Sequence, residues 1–223
     1  MGRRRLTALS PFRYLLRRLR RVVFPGSVDY WEGRYGKGGD SGPGSYGELA
    51  RFKAEVIEGL LAEHDVGSAI EFGCGDGHQL SLIDYPSYVG LDTARLAVAR
   101  CRERFRDDAS KSFFLYHPKA FADRQGLFRA DLSVSLEVVF HIVEDDLYEL
   151  YMEHLFAAAR RLCVIFTSAR PADELQPAHM RYRDVVAHVA DRLPGWSLDR
   201  VIPNRHPELS DSEFYAFVRR PVE

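Results

Sequence analysis

Glu71-Phe72-Gly73-Cys74-Gly75-Asp76-Gly77 sets three glycines between and beside two acids, and Asp92 follows about 20 residues after Gly73. Glycine tolerates positive φ and lets a ligand approach the backbone closely, so such a cluster reads as a tight binding turn. An acid at this spacing is placed to accept hydrogen bonds from both hydroxyls of a ribose. A glycine-rich turn alone is a weak signal. With Asp92 it specifies an adenosine-containing ligand, provided that both lie at the ends of neighbouring strands. Two histidines, His141 and His179, add the side chain best suited to taking a proton near neutrality.

The surrounding pattern supplies the elements that such a turn requires. Residues 48–64 place Leu49, Phe52, Val56, Ile57, Leu60 and Leu61 at helical spacing, which predicts an amphipathic helix. Short apolar or β-branched runs follow at 68–72, 88–91, 112–116, 132–136 and 162–167, alternating with helical periods at 94–105 and 145–160. Alternating strands and helices imply a mostly parallel sheet covered on both faces. After a helix over 182–193, runs at 196–202 and 213–218 read as an antiparallel pair at one edge. The glycine turn then sits where the first strand ends and Asp92 closes the second, the position at which open α/β sheets collect ligands. Residues 36–45 hold too much glycine for regular structure and read as a mobile loop.

Dinucleotide binders use Gly-x-Gly-x-x-Gly, with a pyrophosphate on the helix N-terminus. Here the spacing is Gly73-x-Gly75-x-Gly77, and the acids Glu71 and Asp76 would repel a pyrophosphate. They suit the ammonium and sulfonium of S-adenosylmethionine. Glu71, Gly73, Cys74, Gly75, Gly77 and Asp92 are therefore the expected cofactor residues, and a nicotinamide-dependent oxidoreductase is disfavoured.

At 223 residues and 46% hydrophobic content, the chain suits one domain (27–223) with an N-terminal extension (1–26). A net charge of -1 gives no overall sign of nucleic-acid binding. Arginine is nonetheless dense over residues 3–21, beside an apolar stripe of Phe12, Leu15, Leu16, Leu19, Val22 and Val23. A helix of this kind suits an anionic membrane surface, or packs its stripe on the domain. The three cysteines are too few and scattered for a disulfide framework, and no apolar run approaches the roughly 20 residues that span a bilayer. A cytoplasmic location, possible contact with the inner face of the membrane included, is the expectation.

On the glycine turn and Asp92 the chain resembles class I S-adenosylmethionine-dependent methyltransferases. Longer segments are similar to a bacterial subgroup associated with surface polysaccharide and glycan biosynthesis. They are Tyr30-Trp31-Glu32-Gly33-Arg34-Tyr35, the run from Gly38 to Gly47, Phe52-Lys53-Ala54-Glu55, the run from Ser135 to Asp145, and His179-Met180-Arg181-Tyr182-Arg183. The resemblance implies a Rossmann-like seven-stranded sheet with an antiparallel C-terminal strand. It also implies that Leu136, Glu137 and Val138 lie beside the cofactor while Tyr30, Trp31, Arg34 and Tyr46 close over it. Ordinary aromatic packing explains Trp31 and the tyrosines equally well.

Methyl transfer from a sulfonium is a direct displacement that needs alignment and exclusion of water, and a hydroxyl acceptor adds the need for a base. His141, just after the fourth strand, is the first choice, with His179 second; capping or packing is the alternative for either. Arg181 and His206 are candidates for holding an anionic or hydroxyl-rich acceptor. His141, Glu144, Asp145 and His179 offer a divalent metal site, although Glu144 and Asp145 serve equally as helix N-terminal charges, and no metal is expected. The expected reaction is O-methylation of a sugar or glycan. A phosphoryl, carboxyl or small-metabolite acceptor and a non-catalytic cofactor-binding module are the alternatives. Nucleic acid is not expected as a partner, since the fourth strand lacks an Asn/Asp-Pro-Pro-Tyr element.

Overall fold

The structure is a computed structural model that describes residues 24–168 and 176–221. The arginine-rich segment anticipated as a surface-binding helix lies outside the described residues. Seven strands form one sheet: β1 (Ala69–Phe72), β2 (Tyr88–Asp92), β3 (Lys111–Leu115), β4 (Ala130–Leu136), β5 (Ala159–Thr167), β6 (Trp196–Ile202) and β7 (Glu213–Arg219). Their order is β3-β2-β1-β4-β5-β7-β6. β1 to β5 pair in parallel, and β7 inserts between β5 and β6, antiparallel to both. The sheet is thus the expected Rossmann-like one, with β7 as the reversed strand. The order reverses at β1, which opens a crevice at the carboxyl ends of β1, β2 and β4.

Helices α1 (Ser27–Gly36), α2 (Gly47–Glu63), α3 (Arg95–Arg104), α4 (Asp145–Ala158) and α5 (Val185–Arg192) cover the sheet. Side-chain alternation along β5 decides which core each residue joins. Leu162, Val164 and Phe166 pack with α2 and α3, through Phe52, Ile57, Leu60 and Val98. Cys163 and Ile165 face the other way, onto Leu147, Met152 and Leu155 of α4 and Val185 and Val189 of α5. The helical period over 145–160 runs two residues too far. Ala159 already pairs with Ala130 of β4, so the ladder takes over directly from α4.

Helix α1 was not evident from the pattern. Its start depends on a residue 117 positions away: Glu144 accepts from the Ser27 amide at 2.9 Å and from the Ser27 hydroxyl at 2.7 Å. Ser27 Oγ in turn accepts from the Val143 amide at 2.9 Å. No helix among the described residues is long and apolar enough to cross a membrane.

Tyr151 of α4 ties this helix to the glycine turn. Its hydroxyl donates to the Phe72 carbonyl at the end of β1 (2.9 Å) and shares a 2.7 Å bond with Ser135 Oγ of β4. Tyr151→Phe leaves that buried carbonyl without its donor. The expected cost is about 1–3 kcal/mol of unfolding free energy, read from urea denaturation.

Candidate active site

The turn after β1 is stitched to β2, because Gly73 N and Cys74 N both donate to Leu91 O, at 2.7 and 3.0 Å. Gly73 and Gly75 adopt φ of 91° and 59°. A Cβ on Gly73 would lie 2.4 Å from Val138 Cγ2, and one on Gly75 would lie 2.3 Å from Ser41 Oγ. Both positions therefore exclude any side chain on conformational and steric grounds. Gly77 serves the turn from behind: a Cβ there would meet Phe105 at 2.9 Å and the Cys101 sulfur at 3.0 Å.

Asp92, buried at the end of β2, accepts from Gly75 N (2.9 Å) on Oδ2 and from Ala94 N (2.8 Å) on Oδ1. Burial pushes its carboxyl up to about 6 in spite of these donors. Glu71 is held from the side by the Tyr88 hydroxyl at 2.6 Å, and burial pushes it up to about 7. Both acids line one cavity of about 440 Å³, a volume suited to a small-molecule ligand.

Lys53 also lines that cavity, and pattern reasoning missed it as a site residue. Its side chain is 1% exposed, and its ammonium meets Glu137 Oε2 at 3.4 Å, long for an ion pair. Burial lowers its pKa, against the pull of Glu137 and Glu71. The signal was present, since Lys53 falls on the apolar stripe between Leu49 and Ile57, where a lysine is out of place. Glu137 has φ 60°, a strained conformation for a residue with a Cβ. Its amide donates to Phe166 O at 2.8 Å, and its Oε1 accepts from Ser210 Oγ at 3.2 Å. The Gly44 backbone lies so close that a Cβ there would fall 1.6 Å from Glu137 Oε2.

Helix α1 and the segment behind it form a cover. Glu32 accepts from Arg95 N at 2.7 Å, and Arg34 binds the Asp40 carbonyl and carboxylate at 2.7 and 2.8 Å. Ser41 Oγ accepts from Asp76 N at 2.9 Å and bonds the Tyr35 hydroxyl at 2.9 Å; the Tyr46 hydroxyl donates to Asp76 at 2.7 Å. The segment read as a mobile loop is thus fastened to the glycine turn, because its polar side chains satisfy the turn's own polar groups. Tyr30, Trp31 and Arg34 line the cavity, as do Leu136, Glu137 and Val138. Tyr46 and Gly77 do not, and Asp76 faces the cover, so of the two acids flanking the turn Glu71 alone lines the cavity.

His141 and His179 come together. Their rings stack at 5.6 Å and 12°, His179 stacks on Tyr30 at 4.7 Å, and Trp31 meets His141 edge-on at 4.9 Å. His141 Nδ1 lies 3.3 Å from His179 O; a carbonyl only accepts, so Nδ1 carries the proton and Nε2 the lone pair. Burial and the nearby Arg34 and His179 lower His141 to about 4, leaving it neutral at ordinary pH.

Other candidates are engaged elsewhere. Arg181 and Arg183 bind Asp145, at 2.9 and 3.1 Å, and the Val143 carbonyl, which fixes the turn before α4. His206 lies against Phe52 and Glu208, away from the cavity lining. With Glu144 on Ser27 and Asp145 on two arginines, the four-residue metal arrangement is not assembled. Among the described residues no three His, Cys, Asp or Glu side chains gather as a metal group.

No family model matches the chain, and no curated protein matches it in sequence. Solved structures do. The N-methyltransferase NodS of Bradyrhizobium japonicum WM9, in complex with S-adenosylhomocysteine, superposes with a TM-score of 0.67 at 13% identity, covering 88% of this chain and 100% of that one. Magnesium protoporphyrin IX methyltransferase of Synechocystis PCC 6803 with the same ligand gives 0.64 at 13% identity, over 86% and 97%. The methyltransferase domain of bacterial CtHen1 gives 0.62 at 18% identity, over 78% and 100%. With its strand order, reversed seventh strand and glycine turn, the chain has the fold of class I S-adenosylmethionine-dependent methyltransferases.

Proposed function

We propose that the chain is a methyltransferase that uses S-adenosylmethionine to methylate a hydroxyl of a sugar or glycan. The observation that carries the reading is the meeting, in one cavity, of the Asp92 and glycine-turn site with an aromatic wall that holds His141 and His179. The cofactor fits the residues present: Asp92 faces the ribose end, and Lys53, short of partners, suits the carboxylate of the amino-acid tail where β1 and β4 end. When bound, the cofactor supplies an electrophilic methyl group on a sulfonium.

The chain's own residues do the rest. Glu71 places negative charge beside the cationic part of the ligand. Helix α1, pinned by Glu144 and Arg95, excludes water. Trp31, Tyr30 and His179 line the cavity and supply the aromatic surface against which the C–H face of a sugar ring packs. His141, already neutral, takes the proton from the acceptor hydroxyl on Nε2 as the oxygen attacks, and the His179 carbonyl keeps Nδ1–H in place. The names of the similar structures cover a porphyrin and an N-methyl acceptor, so the fold does not choose the acceptor.

The direct test follows labelled methyl from S-adenosylmethionine into glycolipid and sugar-nucleotide fractions. Label is expected in a glycan fraction with the native chain, and should fall by about 100-fold or more in His141→Ala. Label that never enters a sugar-containing fraction sinks the glycan reading.

Lys53→Met is expected to weaken S-adenosylhomocysteine by about tenfold or more in calorimetry, while leaving 5′-methylthioadenosine, which lacks the amino-acid tail, unchanged. Equal losses for both ligands would place Lys53 elsewhere.

pH supplies a third check. Ribose hydroxyls donate to ionised Asp92, and cationic ligand groups favour ionised Glu71, whereas the ligand-free carboxyls hold their protons up to about 6 and 7. Affinity for S-adenosylhomocysteine is therefore level only above about pH 8 and falls as pH drops through 7 and 6, by up to about tenfold per unit for each carboxyl protonated. His141, at about 4, adds nothing to that limb. A flat titration between pH 8 and 5 counts against the assigned contacts.

A further inference from the structure

Gln79 stands two residues beyond Gly77 and lines the cavity, with only 6% of its surface exposed. Its amide is oriented by α2, because Nε2 donates to the Ala50 carbonyl at 3.0 Å. A carbonyl only accepts, so turning the amide end for end would set two oxygens against each other. This leaves Oε1 as the end that a ligand can use. Oε1 is buried, and it has no hydrogen-bond partner among the described residues. A buried acceptor without a donor is costly, and in a cavity wall it marks where a ligand donor completes the bond.

The place of Gln79 narrows the choice of ligand group. Ala50 precedes Lys53 by one helical turn, so the Gln79 amide and the Lys53 ammonium reach the cavity along the same face of α2. Lys53 there faces the carboxylate of the amino-acid tail. Oε1 carries lone pairs and no proton, so it repels that carboxylate and cannot bind it. The ribose hydroxyls are taken by Asp92, at the end of β2. The remaining donor of the tail is its α-ammonium, whose N–H groups a neutral amide oxygen accepts without itself having to ionise.

We propose that Gln79 Oε1 accepts a hydrogen bond from the α-ammonium of S-adenosylmethionine, so that Gln79 and Lys53 together set the orientation of the tail. This inference rests on the methyltransferase reading above. Its test is calorimetry on the full chain with three ligands. The first is S-adenosylhomocysteine. The second is its deaminated analogue with a thiobutyrate tail, which keeps the carboxylate and lacks the ammonium; the third, 5′-methylthioadenosine, lacks both. The native chain is expected to prefer S-adenosylhomocysteine to the deaminated analogue by about tenfold or more. Gln79→Met should weaken S-adenosylhomocysteine by about tenfold and leave the other two ligands unchanged. Lys53→Met, by contrast, should weaken both ligands that carry the carboxylate. Gln79→Glu keeps an oxygen acceptor in the same place, and should retain the preference for the amino ligand even if loss of the Ala50 bond lowers its thermal midpoint. A native chain that does not distinguish the first two ligands, equal losses for them in Gln79→Met, or loss of the preference in Gln79→Glu each overturns the inference. Equal losses would show that Gln79 serves the turn through Ala50 alone. Failure of the native chain to bind S-adenosylhomocysteine at all overturns the methyltransferase reading itself, and is seen before any variant is compared.

Discussion

Charge held away from water at the mouth of the sheet is the constraint around which this molecule is organised. Lys53, Glu71 and Asp92 are buried in one cavity, and Glu137 nearly so. Each has some compensation: two backbone amides for Asp92, a tyrosine hydroxyl for Glu71, one long ion pair for Lys53. None has enough to cancel the effect of burial, and the raised carboxyls and lowered lysine record the shortfall. A fold stabilised for its own sake would replace such groups with apolar ones. A site that accepts a ligand carrying both charges and a ribose gains from leaving them incomplete.

The cover over this cavity depends on the same economy of polar partners. Ser41 and Tyr46 bind Asp76, Glu32 binds the start of α3, and Glu144 starts α1. The glycines of the turn are needed less for freedom of motion than because Val138 and Ser41 occupy the space a Cβ would take. Glycine at position 44 answers to Glu137 in the same way, and the strain at Glu137 keeps its carboxylate between Lys53 and Ser210. The segment that covers the cavity and the turn that lines it are thus held by one set of interactions.

Across the cavity, the lining divides into an aromatic wall and a polar corner. Tyr30, His179, His141 and Trp31 present ring faces and edges, whereas Ser168, Ser210 and Ser212 present hydroxyls. A sugar has the same two characters, a C–H face and a hydroxyl rim. The low pKa of His141 costs it strength as a base but guarantees its lone pair at any pH near neutrality, and the His179 carbonyl determines which nitrogen carries it.

Much of this was legible without coordinates wherever the signal was local. The strand and helix periods, the glycine turn and the spacing to Asp92 reflect contacts within one β-α-β unit, and they led to the observed sheet with small shifts at element ends. His141 and His179 were anticipated as two residues on one edge of the sheet and as members of an alternative metal group, not as stacked rings. Helix α1, the fastened segment after it, and the removal of Arg181, His206, Glu144 and Asp145 from the cavity were not legible, because each depends on partners far away in sequence. Lys53 shows the boundary between the two. Its place on an apolar stripe was written in the sequence, but only the packing of α2 against β1 and β4 decided that its ammonium ends beside Glu137 rather than in water. Periodicity follows from backbone geometry, which every residue carries with it; the partner of a buried charge follows from which surfaces meet, and that is settled only when the chain is folded.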